Sequence, residues 1–171
     1  MPHSLVAYAS KRGSTEEVAR VIARTLRDAG HEVTVHRARD VRDVVDYDGV
    51  ILGGSLYTAR LHSDALRFIR RNRTALTGLP FAVFALGPVT REAKDVSSSR
   101  RQLYNALSHL NIEPDLVAVF GGVIDPAKLR FPFNRRPKAD TRDWDAIEDW
   151  AQEFLRNFPH TTRRLAHHSN T

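Results

Sequence analysis

Short apolar runs alternate with amphipathic ones along this chain. Leu5 to Ala9 is continuously apolar and reads as a buried strand. Val18, Val21, Ile22, Leu26 and Ala29 follow at helical spacing, with Gly30 as a C-terminal stop. Glu32 to Arg37 alternates Val33 and Val35 with polar residues, the pattern of a half-exposed strand near a sheet edge. Val50 to Gly53 is a short buried strand, and Ala65, Leu66, Phe68, Ile69 and Leu76 form a helix face. Phe81 to Leu86 is a fourth, fully apolar strand. Leu103, Tyr104, Ala106, Leu107 and Leu110 mark the next helix, and Leu116 to Phe120 a fifth strand. Asp143 is placed to cap a final helix carrying Trp144, Ile147, Trp150, Ala151, Phe154 and Leu155.

Apolar strands alternating with helices imply an α/β fold: a parallel sheet covered on both faces, a three-layer sandwich. Five strands at this spacing fit the order 2-1-3-4-5. Ligands of such sheets bind beyond the carboxyl ends of the strands, at the switch point beside the first strand. The loops in question are Ser10–Thr15, Gly54–His62, Gly87–Lys94 and Gly121–Asp143.

The first loop, Ser10-Lys11-Arg12-Gly13-Ser14-Thr15, joins a strand to a helix. A helix N-terminus offers unpaired N–H groups and a positive dipole end to phosphate. Ser10, Ser14 and Thr15 add hydroxyls, and Gly13 allows close backbone approach. The structural alternative is a helix cap, since Ser14-x-x-Glu17 has the form of a capping box. In the second loop, Gly53 and Gly54 permit backbone approach, Ser55 can donate a hydrogen bond, and Tyr57 can stack on a planar ring. A tight turn with an ordinary buried tyrosine is the alternative. The third, Leu86-Gly87-Pro88-Val89, is a rigid turn whose backbone could meet the edge of a heterocycle, or simply end a strand. In the fourth, Lys128 to Lys138 interleaves Phe131 and Phe133 with cations, as a lip over an apolar substrate, a membrane contact, an acidic partner's dock or a solvated basic loop would.

Composition narrows the chemistry. The chain of 171 residues is long enough for one domain with a sizeable core, expected over residues 1–158, with a polar, disordered tail over 159–171. It has no cysteine, which removes disulfides, thiolate metal sites and cysteine nucleophiles. The eight histidines show no metal-ligand spacing, so no metal is expected. His62 opens the second long helix, where a terminal structural role is expected. Receiver-type phosphoacceptor chemistry needs an aspartate ending the first strand, where Ala9 and Ser10 stand. No signal peptide or membrane-spanning run is visible, which makes a cytoplasmic location the expectation, with peripheral contact at the inner face of the membrane left open. The formal net charge of +6 suits plain solubility, an acidic partner, an anionic surface or nucleic acid, and no nucleic-acid motif accompanies it.

Taken in order, Ser10-x-x-Gly13-x-Thr15, Gly54-Ser55-x-Tyr57, Leu86-Gly87-Pro88-Val89, Phe120-Gly121-Gly122 and Asp140-x-Arg142-Asp143-Trp144 resemble the flavodoxin superfamily. The resemblance is closest to the branch containing menaquinone-dependent protoporphyrinogen oxidase, and it runs to about Phe158. It implies a flavodoxin-like fold and non-covalent FMN. The phosphate would sit on Ser10, Lys11, Arg12, Gly13, Ser14 and Thr15. The isoalloxazine would lie between the loop of Ser55, Leu56 and Tyr57 and the loop of Leu86, Gly87 and Pro88, with Gly54 and Val89 also among the cofactor-binding residues. Two departures stand out. The segment after the fifth strand, ending Phe131 to Arg136, is shorter than the insertion of those oxidases. The chain is also basic where electron-carrier flavodoxins are acidic, and its third loop has no acid before Glu92. Without carboxylate repulsion, full reduction of the flavin is eased, which favours two-electron chemistry.

Three readings follow. The first is an FMN-dependent oxidoreductase passing electrons from an organic substrate, protoporphyrinogen-like by resemblance, to a quinone or similar acceptor. No side chain stands out as a catalytic acid or base. The second is an electron carrier that docks with an acidic redox partner. The third is a non-redox binding module on the same scaffold.

Overall fold

The computed structural model describes residues 1–57, 60–89, 92–124 and 138–158. In chain order its elements are β1 (His3–Ala9), α1 (Ser14–Asp28), β2 (Glu32–Arg37), a 3-10 turn (Ala38–Asp40), β3 (Gly49–Tyr57), β4 (Arg60–Leu61), α2 (Ser63–Thr77), β5 (Phe81–Leu86), α3 (Ala93–His109), β6 (Leu116–Phe120), β7 (Val123–Ile124), β8 (Ala139–Asp140) and α4 (Trp144–Arg156). The main sheet runs β2-β1-β3-β5-β6 with every neighbouring pair parallel. That is the expected 2-1-3-4-5 arrangement. The chain leaves β1 toward β2 on one side and reaches β3 on the other, so the switch point lies at the carboxyl end of β1.

The uninterrupted apolar strands are split by the pleat between two cores. Leu5, Ala7, Ala9, Phe81, Val83 and Ala85 face α2 and α3, with Phe68, Ile69 and Leu103 among their partners. Val6, Tyr8, Ala82, Phe84 and Leu86 face α1 and α4, packed by Ile22, Leu26, Ile147, Trp150 and Phe154. On this second side Phe84, Phe120 and Trp150 form an aromatic triangle, with ring centroids 5.8 to 6.0 Å apart. Burying one such side chain contributes about 1.5–3 kcal/mol, so the triangle anchors α4 on the sheet.

The helix ends follow from local chemistry. Gly30 adopts a left-handed φ of +92°. The N–H groups of Gly30 and His31 then reach back to the carbonyls of Arg27 and Leu26, closing α1 in a Schellman turn. The Asp143 carboxylate accepts from the Ala146 N–H at 3.1 Å, capping α4 as the sequence suggests. His62 precedes α2 and its Nδ1 accepts from the Asp64 N–H at 3.1 Å, the expected terminal role.

One strand departs from expectation. The run read as Val50 to Gly53 continues to Tyr57. Gly54 and Ser55 keep pairing with Ala9 and Leu86, and Leu56 and Tyr57 then pair antiparallel with β4. Apolar content alone marks the buried part of a strand, and β3 carries on past it. No helix among the described residues is long and apolar enough to cross a membrane. The Lys128–Lys138 segment, apart from Lys138, and the tail 159–171 lie outside the described residues.

Candidate functional site

The ladder aligns Ala9 with Gly54, Ser55 with Leu86, and Leu86 with Phe120. The loops that follow these strands therefore gather along one edge of the sheet.

In the first, the Ser10 hydroxyl oxygen accepts from the N–H groups of Arg12 and Gly13, at 3.3 and 3.1 Å. This turn delivers the chain to Gly13, whose φ of +85° is costly for any residue with a Cβ. The capping box read from Ser14 and Glu17 is not formed. Ser14 is the first helical residue, Gly13 occupies the cap position, and no side chain caps the helix. The first intrahelical bond runs from the Glu17 N–H to the Gly13 carbonyl at 3.1 Å. The N–H groups of Ser14, Thr15 and Glu16 ahead of it have no acceptor within the helix. Thr15 is fully buried, and its hydroxyl has no hydrogen-bond partner among the described residues. A buried, unpaired hydroxyl beside unpaired N–H groups is costly unless something else completes it.

In the second loop, Ser55 and Leu56 are half-buried, and Tyr57 is 63% exposed rather than buried. The Arg12 guanidinium lies over the Tyr57 ring, 5.8 Å from its centroid, joining the first two loops. The glycines here serve packing first. A Cβ on Gly53 would run into the Phe84 ring, and one on Gly54 would lie 2.8 Å from Leu61 Cδ1. Thr58 lies outside the described residues.

The third loop is braced from behind. Gly87 donates to the Phe120 carbonyl at 2.8 Å, and Gly122 donates to the Pro88 carbonyl at 3.2 Å. The backbones are so close that a Cβ on Gly122 would collide with the Gly87 carbonyl oxygen. Gly122 in turn accepts at its carbonyl from the Thr141 N–H at 3.1 Å. Phe120-Gly121-Gly122 thus holds Gly87 and Pro88 in place.

The sequence pattern places Arg142 within Asp140-x-Arg142-Asp143-Trp144 and assigns it no role. Its side chain is 8% exposed. Nε and Nη2 fork onto Asp140 at 3.0 and 2.7 Å. Nη1 donates to Glu17 Oε2 at 2.6 Å and to the Ser14 carbonyl at 3.4 Å. The guanidinium carbon sits 4.7 Å from the Trp144 ring centroid. The bonds from Arg142 hold the Asp140 carboxyl below its ordinary value, and those to Asp140 raise the arginine. The other acid of the first helical turn, Glu16, is bound by Arg20 at 2.8 Å, which lowers its carboxyl. The Arg142 N–H also donates to Asp140 Oδ1 at 3.0 Å, so an aspartate two residues before an arginine, the spacing of such a turn, is the signal that could have pointed to this pair.

Comparison with known proteins agrees with this architecture. The flavodoxin domain model matches residues 5–136. Protoporphyrinogen IX dehydrogenase [quinone] of Escherichia coli (strain K12) is 24% identical, over 93% of this chain and 96% of that protein. Oxidised flavodoxin 1 from Bacillus cereus superposes with a TM-score of 0.61 at 20% identity, covering 92% of this chain and 99% of its own. A lysine-to-glycine mutant of Fusobacterium nucleatum flavodoxin, bound to flavin mononucleotide, does so with 0.55 at 15% identity, covering 93% and 98%. The parallel order, the switch point beside β1 and a family match over most of the chain lead to one assignment: the chain belongs to the flavodoxin domain family.

Proposed function

We propose that the protein is an FMN-dependent oxidoreductase that takes electrons from an organic substrate of the protoporphyrinogen type and passes them to a quinone. The observation that carries the FMN assignment is the open first turn of α1. It presents N–H groups of Ser14, Thr15 and Glu16 and the buried, unpartnered Thr15 hydroxyl, all at the switch point. That donor set suits a phosphate. Ser10 shapes the turn, and Lys11 and Arg12 supply charge at its rim. Ser55 and Tyr57 on one side, and Gly87, Pro88 and Val89 on the other, suit the edges and face of a ring system. When bound, FMN supplies reversible uptake of electrons. The chain's own part is to hold the cofactor, shield it and set the field around it. The protoporphyrinogen and quinone assignment draws on the similarity to the Escherichia coli dehydrogenase over nearly the full length of both chains.

A second reading, an electron carrier for an acidic partner, is favoured by one feature. Helix α2 exposes Arg67, Arg70, Arg71 and Arg73 against a single acid, Asp64. Such a face would steer an acidic protein, with rates that fall as salt rises.

The first experiment is a visible spectrum of the purified protein after addition of FMN and desalting. A retained flavin spectrum supports both redox readings, and none after saturation refutes both. Oxidation of protoporphyrinogen with a quinone and no protein partner then separates the first reading from the second.

A further inference from the structure

Two acids stand in the first turn of α1, Glu16 and Glu17. A carboxylate there is attracted by the same unpaired N–H groups and dipole that would draw a phosphate. We propose that Arg142 is a positioning residue for the phosphate end of the cofactor: it holds and neutralises Glu17, so that the first turn of α1 meets the phosphate without a competing anion. This rests on the FMN reading above.

The two acids are not held alike. Glu16 pairs with Arg20 along the same helix, and Arg20 is 62% exposed, so that contact is screened by solvent. Arg142 comes from a segment 125 residues away. The fork to Asp140 and the stack on Trp144 fix its guanidinium before it reaches Glu17. Little side-chain freedom is then lost in the contact. The short Nη1 bond to Glu17 and the longer one to the Ser14 carbonyl set a fixed positive charge at the first helical residue. Loss of Arg142 would leave the Glu17 carboxylate free to turn toward the open end of the helix.

The test compares binding of FMN and of riboflavin, which has the same ring system and no phosphate. Wild-type protein is expected to prefer FMN. Arg142→Met is expected to weaken FMN by about tenfold, about 1.4 kcal/mol, with riboflavin little changed. Adding Glu17→Gln to that variant restores FMN, and Glu17→Gln alone has little effect. A preference for FMN that survives in Arg142→Met, or an equal loss for both ligands that Glu17→Gln does not repair, overturns the proposal. Should Arg142→Met fail to fold, Arg142→Lys keeps a charge beside Glu17 without the fork. It is expected to keep the wild-type FMN preference whatever its stability, and a collapsed preference there also overturns the proposal. If the wild-type chain itself does not distinguish FMN from riboflavin, the phosphate assignment falls, and this inference with it.

Discussion

Replacing Thr15 with valine separates a structural hydroxyl from a ligand-binding one. Valine has nearly the same shape and similar helix propensity, so the change exchanges the hydroxyl for a methyl group of similar size and alters little else. That oxygen is buried and unpartnered among the described residues. Leaving such a group unsatisfied costs about 1–3 kcal/mol, so the cofactor-free variant should be more stable than wild type by up to that amount. For a chain of 171 residues the melting temperature should rise by about 2–4 °C per kcal/mol. Affinity for FMN should move the opposite way. A hydrogen bond to a charged group contributes about 1.5–3 kcal/mol, so FMN should bind about 10- to 150-fold more weakly. Riboflavin should be less affected. Thermal melts of the cofactor-free protein and fluorescence titrations with both ligands read all three quantities. A less stable Thr15→Val variant with unchanged FMN affinity would refute the reasoning, because the hydroxyl would then serve the fold.

Gly122→Ala drives a methyl group onto the Gly87 carbonyl. A loss at or above about 1–3 kcal/mol in denaturant titrations is expected, with weakened flavin binding. Gly30→Ala, where φ is +92° but nothing lies within 4 Å, should show only the left-handed strain of about 1–2 kcal/mol, with binding intact. Equal behaviour of the two variants would argue against the braced loop. His31 is held below its ordinary value of 6.5, chiefly by burial. The unfolded chain binds that proton more readily, so the contribution is present above about pH 6.5 and is lost as pH falls toward the folded value. Melting temperature should decline below that pH in wild type and less so in His31→Gln, and parallel profiles would exclude this histidine. Asp140, held below 3.8 by Arg142, adds its loss only at lower pH. The loop residues Ser10–Thr15, Gly54–Tyr57 and Leu86–Val89 contain no carboxylate. Redox titration of FMN-loaded protein should show the two electron uptakes close in potential, and a widely separated, very low second uptake would refute that expectation.

The parts of the fold decided by local pattern were legible in the sequence. Continuous apolar strands such as Phe81–Leu86 and amphipathic faces such as Val18, Ile22 and Leu26 predict buried strands and covering helices, and with them the strand order. What depended on partners distant in sequence was not. The extension of β3 past Gly53 is made by pairing with Ala9, Leu86 and β4, which no single window contains. The capping box failed for a related reason. Ser14 and Glu17 have the right spacing, but Gly13 takes the cap position and Arg142 takes the Glu17 carboxylate. Gly53 looked like a site for ligand approach, yet its missing Cβ makes room for Phe84. The site loops were recognisable because hydroxyls and glycines fell just after strands. The role of Arg142 was not, since it joins segments at opposite ends of the chain.

The contact between Arg142 and the first turn of α1 also orders events during synthesis. The sheet strands β1, β2, β3, β5 and β6 are all made before residue 121 leaves the ribosome, while the partner of Glu17 comes only at residue 142. Contacts of such long sequence separation form late. A nascent chain stopped near residue 138 would hold the strands of the parallel sheet with the open first turn of α1 lacking its Arg142 contact and with the surface that α4 covers, around Phe84 and Phe120, open to solvent. On the proposed reading, full affinity for the cofactor is therefore reached late, once the C-terminal segment that carries Arg142 has met the first helix.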